Sequence, residues 1–221
     1  DLHLSQERPQ TTQRFVDYLE SLDAHDSDVY ILGDLFDTWV GDDDPTPPNQ
    51  LIKDTLKKLT DLGVHVHFLA GNRDFLVGQQ FFDDTQVRCL EDEHIIDLFG
   101  TKTLLMHGDL LCTDDTEYQQ FRQLTHNPAW QQAALAKPLA ERLALAQHYR
   151  QQSHLNKQGK SSEIMDVNET TVLNTFDKHQ TLRLIHGHTH RPKRHIHAVN
   201  GDDAERFVLA EWVDKGSVLD W

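Results

Sequence analysis

Five stretches of the 221-residue chain are rich in side chains that bind metal: Asp1-Leu2-His3, Gly33-Asp34, Gly71-Asn72-Arg73-Asp74, Met106-His107-Gly108-Asp109 and Ile185-His186-Gly187-His188-Thr189-His190. Carboxylate, amide carbonyl and imidazole together suit a divalent ion of intermediate hardness, such as Mn, Fe, Zn, Co or Ni. Seven donors are too many for one ordinary transition-metal site and fit two ions that share a carboxylate. Two ions about 3.5–4 Å apart can clamp a phosphoryl group and make a water molecule nucleophilic at neutral pH. Each stretch alone is weak: Gly-Asp after a strand is often a turn, and a lone histidine is more often hydrogen-bonded in a core. The weight comes from all five occurring in one chain, four of them directly after an apolar run.

Those apolar runs are the elements that must position the donors. Asp28–Leu32, Val64–Leu69, Thr103–Met106 and Leu182–Ile185 read as short buried strands. Helices are expected over Pro9–Asp23 and Asn49–Leu62, the latter stopped by Gly63, and over the short Phe81–Thr85. Val87–Leu90, His94–Leu98, Ile196–Val199, Phe207–Trp212 and Val218–Trp221 are further strand-like runs, with Asn200-Gly201-Asp202-Asp203 as a turn. Alternating strands and helices argue for an α/β sheet, in which functional residues collect beyond the C-terminal ends of the strands. A strand should precede Asp1, so a short N-terminal segment is expected to be missing, and a cut at the C-terminus is a further expectation.

From Asp114 to about Lys178 the pattern turns helical, with breaks at Asn127-Pro128, Lys137-Pro138 and Gln158–Ser162. The expected organisation is a core in two parts, residues 1–113 and 169–221, interrupted by a helical insertion over 114–168. The formal net charge of -15 excludes general binding to nucleic acid. The charge is uneven: Tyr118–Ser162 holds six basic residues (Arg122, Lys137, Arg142, Arg150, Lys157, Lys160) against one acid, Glu141. Such an excess is either a solvated helical face or a docking face for an anionic surface. Two cysteines, Cys89 and Cys112, are too few for a disulfide framework and read as reduced thiols. No run approaches the ~18 apolar residues of a spanning helix.

The order Asp1-x-His3, Gly33-Asp34, Gly71-Asn72, His107 and Gly187-His188-x-His190 resembles the calcineurin-like metallophosphoesterase superfamily. Within it, Gly33-Asp34-Leu35-Phe36-Asp37-x-Trp39-x-Gly41-Asp42-Asp43, Gly71-Asn72-Arg73-Asp74-Phe75-Leu76, His107-Gly108-Asp109-x-x-Cys112-Thr113-Asp114-Asp115 and Ile164–Asn168 resemble the UDP-2,3-diacylglucosamine pyrophosphohydrolases of bacterial lipid A synthesis. The resemblance implies an αββα two-sheet sandwich with a helical lid. It implies a first ion on Asp1, His3 and His190, a second on Asn72, His107 and His188, a bridging Asp34, and Mn2+ as the metal. His186 falls outside the ligand pattern and reads as structural. Asn72, Arg73 and His188 are the implied catalytic residues. Asp115, Ser153 and Lys160 join them as substrate contacts, with Lys157 a further candidate where the family often has Asn.

The implied reaction is attack of activated water on the α-phosphorus of UDP-2,3-diacylglucosamine, giving UMP and 2,3-diacylglucosamine 1-phosphate. Phosphoprotein phosphatases of the superfamily carry a histidine where this chain has Arg73; an arginine is no general acid near neutral pH, but its fork suits a diphosphate. The insertion would hold two acyl chains out of water with Ala129, Ala133, Leu135, Leu139, Leu143 and Leu145, although helices merely packed on the core would show the same pattern. The implied location is cytoplasmic, peripheral on the inner membrane, with no obligate protein partner. The alternatives are a dimetal phosphoesterase acting on a soluble nucleotide or phosphodiester, and a non-catalytic scaffold of the same fold.

Overall fold

The computed structural model describes residues 1–22, 28–158, 164–213 and 215–221. The short apolar runs pair into two sheets. In the first, β1 (Asp28–Leu32), β2 (His65–Leu69) and β3 (Arg88–Cys89) are all parallel. The second contains β4 (Glu93–Leu98), β5 (Thr101–Met106), β6 (Arg183–His186), β7 (Lys193–Val199) and β8 (Asp202–Val208), in the order β4-β5-β6-β8-β7. Its central strands β5, β6 and β8 are parallel, and each outer strand is antiparallel to its neighbour.

Leu32 and Leu69 of the first sheet meet Leu105 and Ile185 of the second in a buried layer between the sheets. The outer face of the first sheet is covered by α1 (Pro9–Ser21), α2 (Asn49–Asp61) and α3 (Gln79–Thr85). Their apolar positions recur every three or four residues, so Phe15, Leu19, Ile52, Leu56 and Phe81 share one core with Val66 and Phe68. The insertion supplies α4 (Thr116–Thr125), α5 (Pro128–Leu135) and α6 (Leu139–Gln158). The chain then returns through α7 (Glu169–His179), which packs Val172 and Phe176 on Leu104 and Leu184 of the second sheet. This is the αββα sandwich expected from the sequence.

The C-terminal strands differ from expectation. β7 begins at Lys193, and β8 spans Asp202–Val208 rather than Phe207–Trp212. The turn is only Asn200-Gly201, with φ of 53° and 94°, a two-residue hairpin connection that pairs Val199 with Asp202. Asp202 and Asp203 look like turn residues but are exposed strand residues, and that hid the start of β8. Val218–Trp221 is not a strand. Trp221 instead stacks edge-on against Phe207 and lies under the Arg183 guanidinium, 4.2 Å from its ring.

The helices of the insertion break where Pro follows Asn127 and Lys137. Asn127 caps α5 by accepting from the Ala129 N–H, and Asp115 caps α4 by accepting from the Tyr118 N–H. The inward face of the insertion is only partly the expected one: Leu145 turns inward and Leu139 is half-buried. Ala129, Ala133, Leu135 and Leu143 are exposed, whereas Phe121, Trp130, Ala134, Leu145, Ala146 and Tyr149 turn toward the core. Apolar residues occur all round these helices, so periodicity alone could not choose a face. Three of the six basic residues pair with aspartates of residues 1–113: Arg142 forks onto Asp43 and donates to the Val40 carbonyl, Arg150 pairs with Asp37, and Arg122 bridges Asp92 and Asp109.

Candidate metal centre

The five donor stretches converge where β1, β2, β5 and β6 end. Leu2, His3 and Leu4 run beside the loop after β1, with the His3 N–H donating to the Asp34 carbonyl. His3 Nε2 lies 3.4 Å from His190 Nε2 and 3.7 Å from Asp34 Oδ2, and His190 Nε2 lies 3.6 Å from Asp1 Oδ1. On the other side of Asp34, its Oδ1 is 3.7 Å from His107 Nε2. His107 Nε2 is 3.0 Å from Asn72 Oδ1 and 3.1 Å from His188 Nδ1, while His188 Nδ1 and Asn72 Oδ1 are 2.9 Å apart. Two groups of donor atoms thus face inward with Asp34 between them, one oxygen toward each.

The far side of two imidazoles decides which nitrogen faces the site. His107 Nδ1 donates to the Leu32 carbonyl at 2.8 Å, and His190 Nδ1 donates to the Glu211 carboxylate at 2.9 Å, which leaves both Nε2 lone pairs pointing inward. Arg8 holds Glu211 in turn, at 2.7 Å. His186 is different: its Nδ1 donates to the Gly187 carbonyl at 2.8 Å, and its Nε2 accepts from Arg206 at 3.1 Å. With both nitrogens engaged, His186 supports the loop and offers no donor atom.

Such crowding is possible only where backbones approach closely. A Cβ on Gly71 would lie 2.3 Å from Asp34 Oδ1, and one on Gly187 would lie 2.3 Å from Asp1 Oδ2. Asp74, fully buried, accepts from the N–H groups of Gly71 and Leu35 at 2.7 Å and of Asp34 and Phe36 at 3.3 Å, so one carboxylate ties the β1 and β2 loops together. His3, Asp34, His188 and His190 all have φ between 50° and 66°, the left-handed region that costs a side-chain-bearing residue about 1–3 kcal/mol. The loops carry that strain at donor positions.

The electrostatics fit bound cations. Burial first, then His190 and Arg73, push the His3 imidazole down to about 2, so it is a neutral ligand at physiological pH. Burial raises the Asp34 carboxyl, with His107 pulling the other way, so an ionised Asp34 needs positive charge beside it. Asp1 Oδ1, His3 Nδ1 and Arg73 Nε are buried and have no hydrogen-bond partner among the described residues. Asp1, His3 and His190, and likewise Asp1, Asp34 and His107, present ligand atoms within 4.8 Å of one another. The donor set therefore suits divalent ions.

A family model for calcineurin-like phosphoesterases matches residues 1–192. The chain belongs to the calcineurin-like phosphoesterase family. It is 47% identical over 221 residues to a UDP-2,3-diacylglucosamine hydrolase of Aromatoleum aromaticum, covering 100% of this chain and 90% of that protein. It is 44% identical over 219 residues to the proteins of that name from Yersinia pseudotuberculosis and Yersinia pestis, covering 99% of this chain and 91% of each of theirs.

In this phosphoesterase a cavity of about 400 Å³ opens from the donor atoms into the space under the insertion. Asn72, Arg73, His188 and His190 form one wall; Phe75, Phe121, Trp130 and Tyr149 line the rest. Asp115 and Ser153 also line it, Asp115 from the start of α4 and Ser153 from α6. The Lys157 side chain and the whole of Lys160 lie outside the described residues. Sequence reasoning assigned no role at the site to Tyr118 and Arg122, the partners of Asp109, to Asp74 as the tie between loops, or to Glu211. Tyr118 Oη and Arg122 Nε both donate to Asp109, at 2.6 and 2.7 Å, and the Tyr118 ring lies 5.7 Å from that of His188. Asp74 closes the Gly-Asn-Arg-Asp stretch, so a signal existed for it. Glu211, in the C-terminal tail, had none.

Proposed function

We propose that this phosphoesterase hydrolyses the pyrophosphate bond of UDP-2,3-diacylglucosamine to UMP and 2,3-diacylglucosamine 1-phosphate. The observation that carries the reading is one cavity joining a dimetal donor set to an aromatic chamber under a helical insertion. The relatives' shared name agrees with it. Asp1, His3 and His190 would hold one ion, Asn72, His107 and His188 the other, and Asp34 both. Divalent ions there supply Lewis acidity to a phosphoryl group and make water a nucleophile at neutral pH. We take Mn2+ as the preferred ion, although the donor chemistry alone also admits Fe or Zn.

The chain's own groups position the reactants. Arg73 is held by its backbone, its N–H donating to Asp34 Oδ1 at 2.9 Å and its carbonyl accepting from Trp39 N at 3.2 Å. Its side chain lines the cavity, its Nε has no hydrogen-bond partner among the described residues, and the guanidinium suits a diphosphate oxygen as negative charge develops. Water oxygen bonds to the α-phosphorus and the bond to the bridging oxygen breaks, with that oxygen leaving on the acylated sugar phosphate. Phe75, Phe121, Trp130 and Tyr149 would take acyl chain out of water. Ser153 and Asp115 are placed to contact the head group, and Lys157 and Lys160 remain candidates for the same role.

We also place the protein on the cytoplasmic face of the inner membrane. Leu124, Leu135 and Ile164 are exposed within the insertion, apolar side chains that suit a lipid surface. The electrostatic support is narrower than the composition suggests, since Arg122, Arg142 and Arg150 are paired with aspartates of residues 1–113. Among the described residues no helix is long and apolar enough to cross a membrane. Product analysis tests the reaction: after chelation and reloading with Mn2+, UMP and the diacylated sugar phosphate should appear in equal amounts. Equal turnover of unacylated UDP-N-acetylglucosamine would overturn the assignment in favour of a soluble nucleotide substrate.

A further inference from the structure

A second, larger cavity of about 880 Å³ lies between α6 and the core loops. It begins at Leu4 and Ser5, directly after His3, and includes Asp37 and Thr38, just after Asp34. Asp37, Thr38, Ala146 and Arg150 line both this groove and the 400 Å³ cavity. The two spaces therefore share a wall, where Arg150 pairs with Asp37 at 2.6 Å and donates to Thr38 Oγ1 at 3.2 Å.

A pyrophosphate diester cleaved at the donor atoms has two organic halves, and they must leave that point in different directions. The aromatic chamber suits the acylated half. Uridine joins a planar base to a hydroxylated ribose, is polar and uncharged, and gains little from a chamber that acyl chains fill. The groove mixes apolar surface from Leu4, Pro47, Pro48, Leu143 and Leu155 with uncharged polar groups. Gln147 and Gln151, one helical turn apart on α6, face Ser5 and Thr46 across it. These are neutral donors and acceptors of the kind that read a base edge. Its acids Glu7, Asp37 and Asp44 outnumber its one cation, Arg150, so a second phosphate is disfavoured, while carboxylates can accept from ribose hydroxyls.

We infer that the groove between α6 and the Leu4–Glu7 and Asp37–Asn49 segments is a nucleoside subsite, which receives the uridine end of the substrate while its acylated end enters the aromatic chamber. The inference rests on the reading that the substrate is a UDP-linked lipid. It makes nucleotide affinity separable from acyl affinity, with the Arg150–Asp37 wall between them.

Gln147 is exposed, so Gln147→Trp fills the groove without disturbing a core, and Gln151→Leu removes an amide with less bulk. Calorimetry with the Mn2+-loaded protein and its variants would use UMP and ribose 5-phosphate as probes. UMP should bind Gln147→Trp about tenfold more weakly and ribose 5-phosphate within about twofold of wild type. The KM for the diacylated substrate should rise more than kcat falls, the signature of lost uniform binding. Gln151→Leu should show the same pattern to a smaller degree. Unchanged UMP affinity in both folded variants would overturn the subsite, including the case where KM alone rises, which would assign the groove to the sugar or an acyl chain. Wild-type turnover is measured first: its absence sinks the functional reading, whereas turnover with unchanged UMP affinity sinks only the groove.

Discussion

The strand-end loops and the helical insertion hold charge in opposite ways. In the loops, Asp74 is fully buried and satisfied by backbone N–H groups, and the donors stand in strained conformations that only neighbouring backbone can impose. In the insertion, charge works through long side chains: Arg142 is nearly buried, but its partner Asp43 has 62% of its side chain exposed. The first arrangement is rigid and cannot relax when one group is removed. The second is a set of clamps on helices that can stay folded when one is released. A catalytic centre needs the former, and a cover over a large amphipathic substrate can use the latter.

The largest effect should come from the shared donor. Asp34→Ala removes the carboxylate that faces both groups, and turnover and bound metal should both fall to background; normal metal content with retained activity would refute the bridging role. Next, Asp74→Ala leaves several buried N–H groups unpaired, at about 1–3 kcal/mol each, so urea unfolding should show a loss of about 3 kcal/mol or more. A loss under about 1 kcal/mol would mean the loops relax as freely as the insertion, and the contrast would collapse.

A smaller loss is expected from Arg142→Leu, about 1–2 kcal/mol, because solvent screens Asp43. Limited proteolysis should show faster cutting within 114–168 while the core fragments persist; cutting spread evenly over the chain would show that the insertion is not a separate clamp. The smallest effect is a pH dependence. Burial would raise the Asp109 carboxyl, but His107, His188, Arg122 and the Tyr118 hydroxyl outweigh it and hold it below the usual carboxylate range. Its folded value is thus below its unfolded one, so its stabilisation is present above about pH 4 and is lost as pH falls toward the folded value. The stability gap between wild type and Asp109→Asn should shrink as pH falls below about 4. A gap that grows on acidification would reverse the sign of the coupling.

The sequence was most informative where one residue type does one job. The five donor-rich stretches stood out because ligand chemistry admits few side chains and four of them follow apolar runs; the family resemblance then singled out Asp1, His3, Asp34, Asn72, His107, His188 and His190 within them. It was least informative where the partner is distant. His186 was separable from His188 and His190 by pattern, but its engagement with Arg206 depends on β6 lying beside β8. Glu211 gains its role only because the tail passes His190. The basic excess of the insertion was visible in composition, yet composition has no direction, and half of those cations pair with aspartates of residues 1–113.

By itself the sequence determined the strand–helix alternation, the donor types and the helical interruption, since periodicity, turn chemistry and ligand preference are local properties. Tertiary structure decided which donors face each other, which face of the insertion turns inward and where the second groove lies. Those depend on two sheets packing so that the ends of β1, β2, β5 and β6 meet, and no local property encodes that distance.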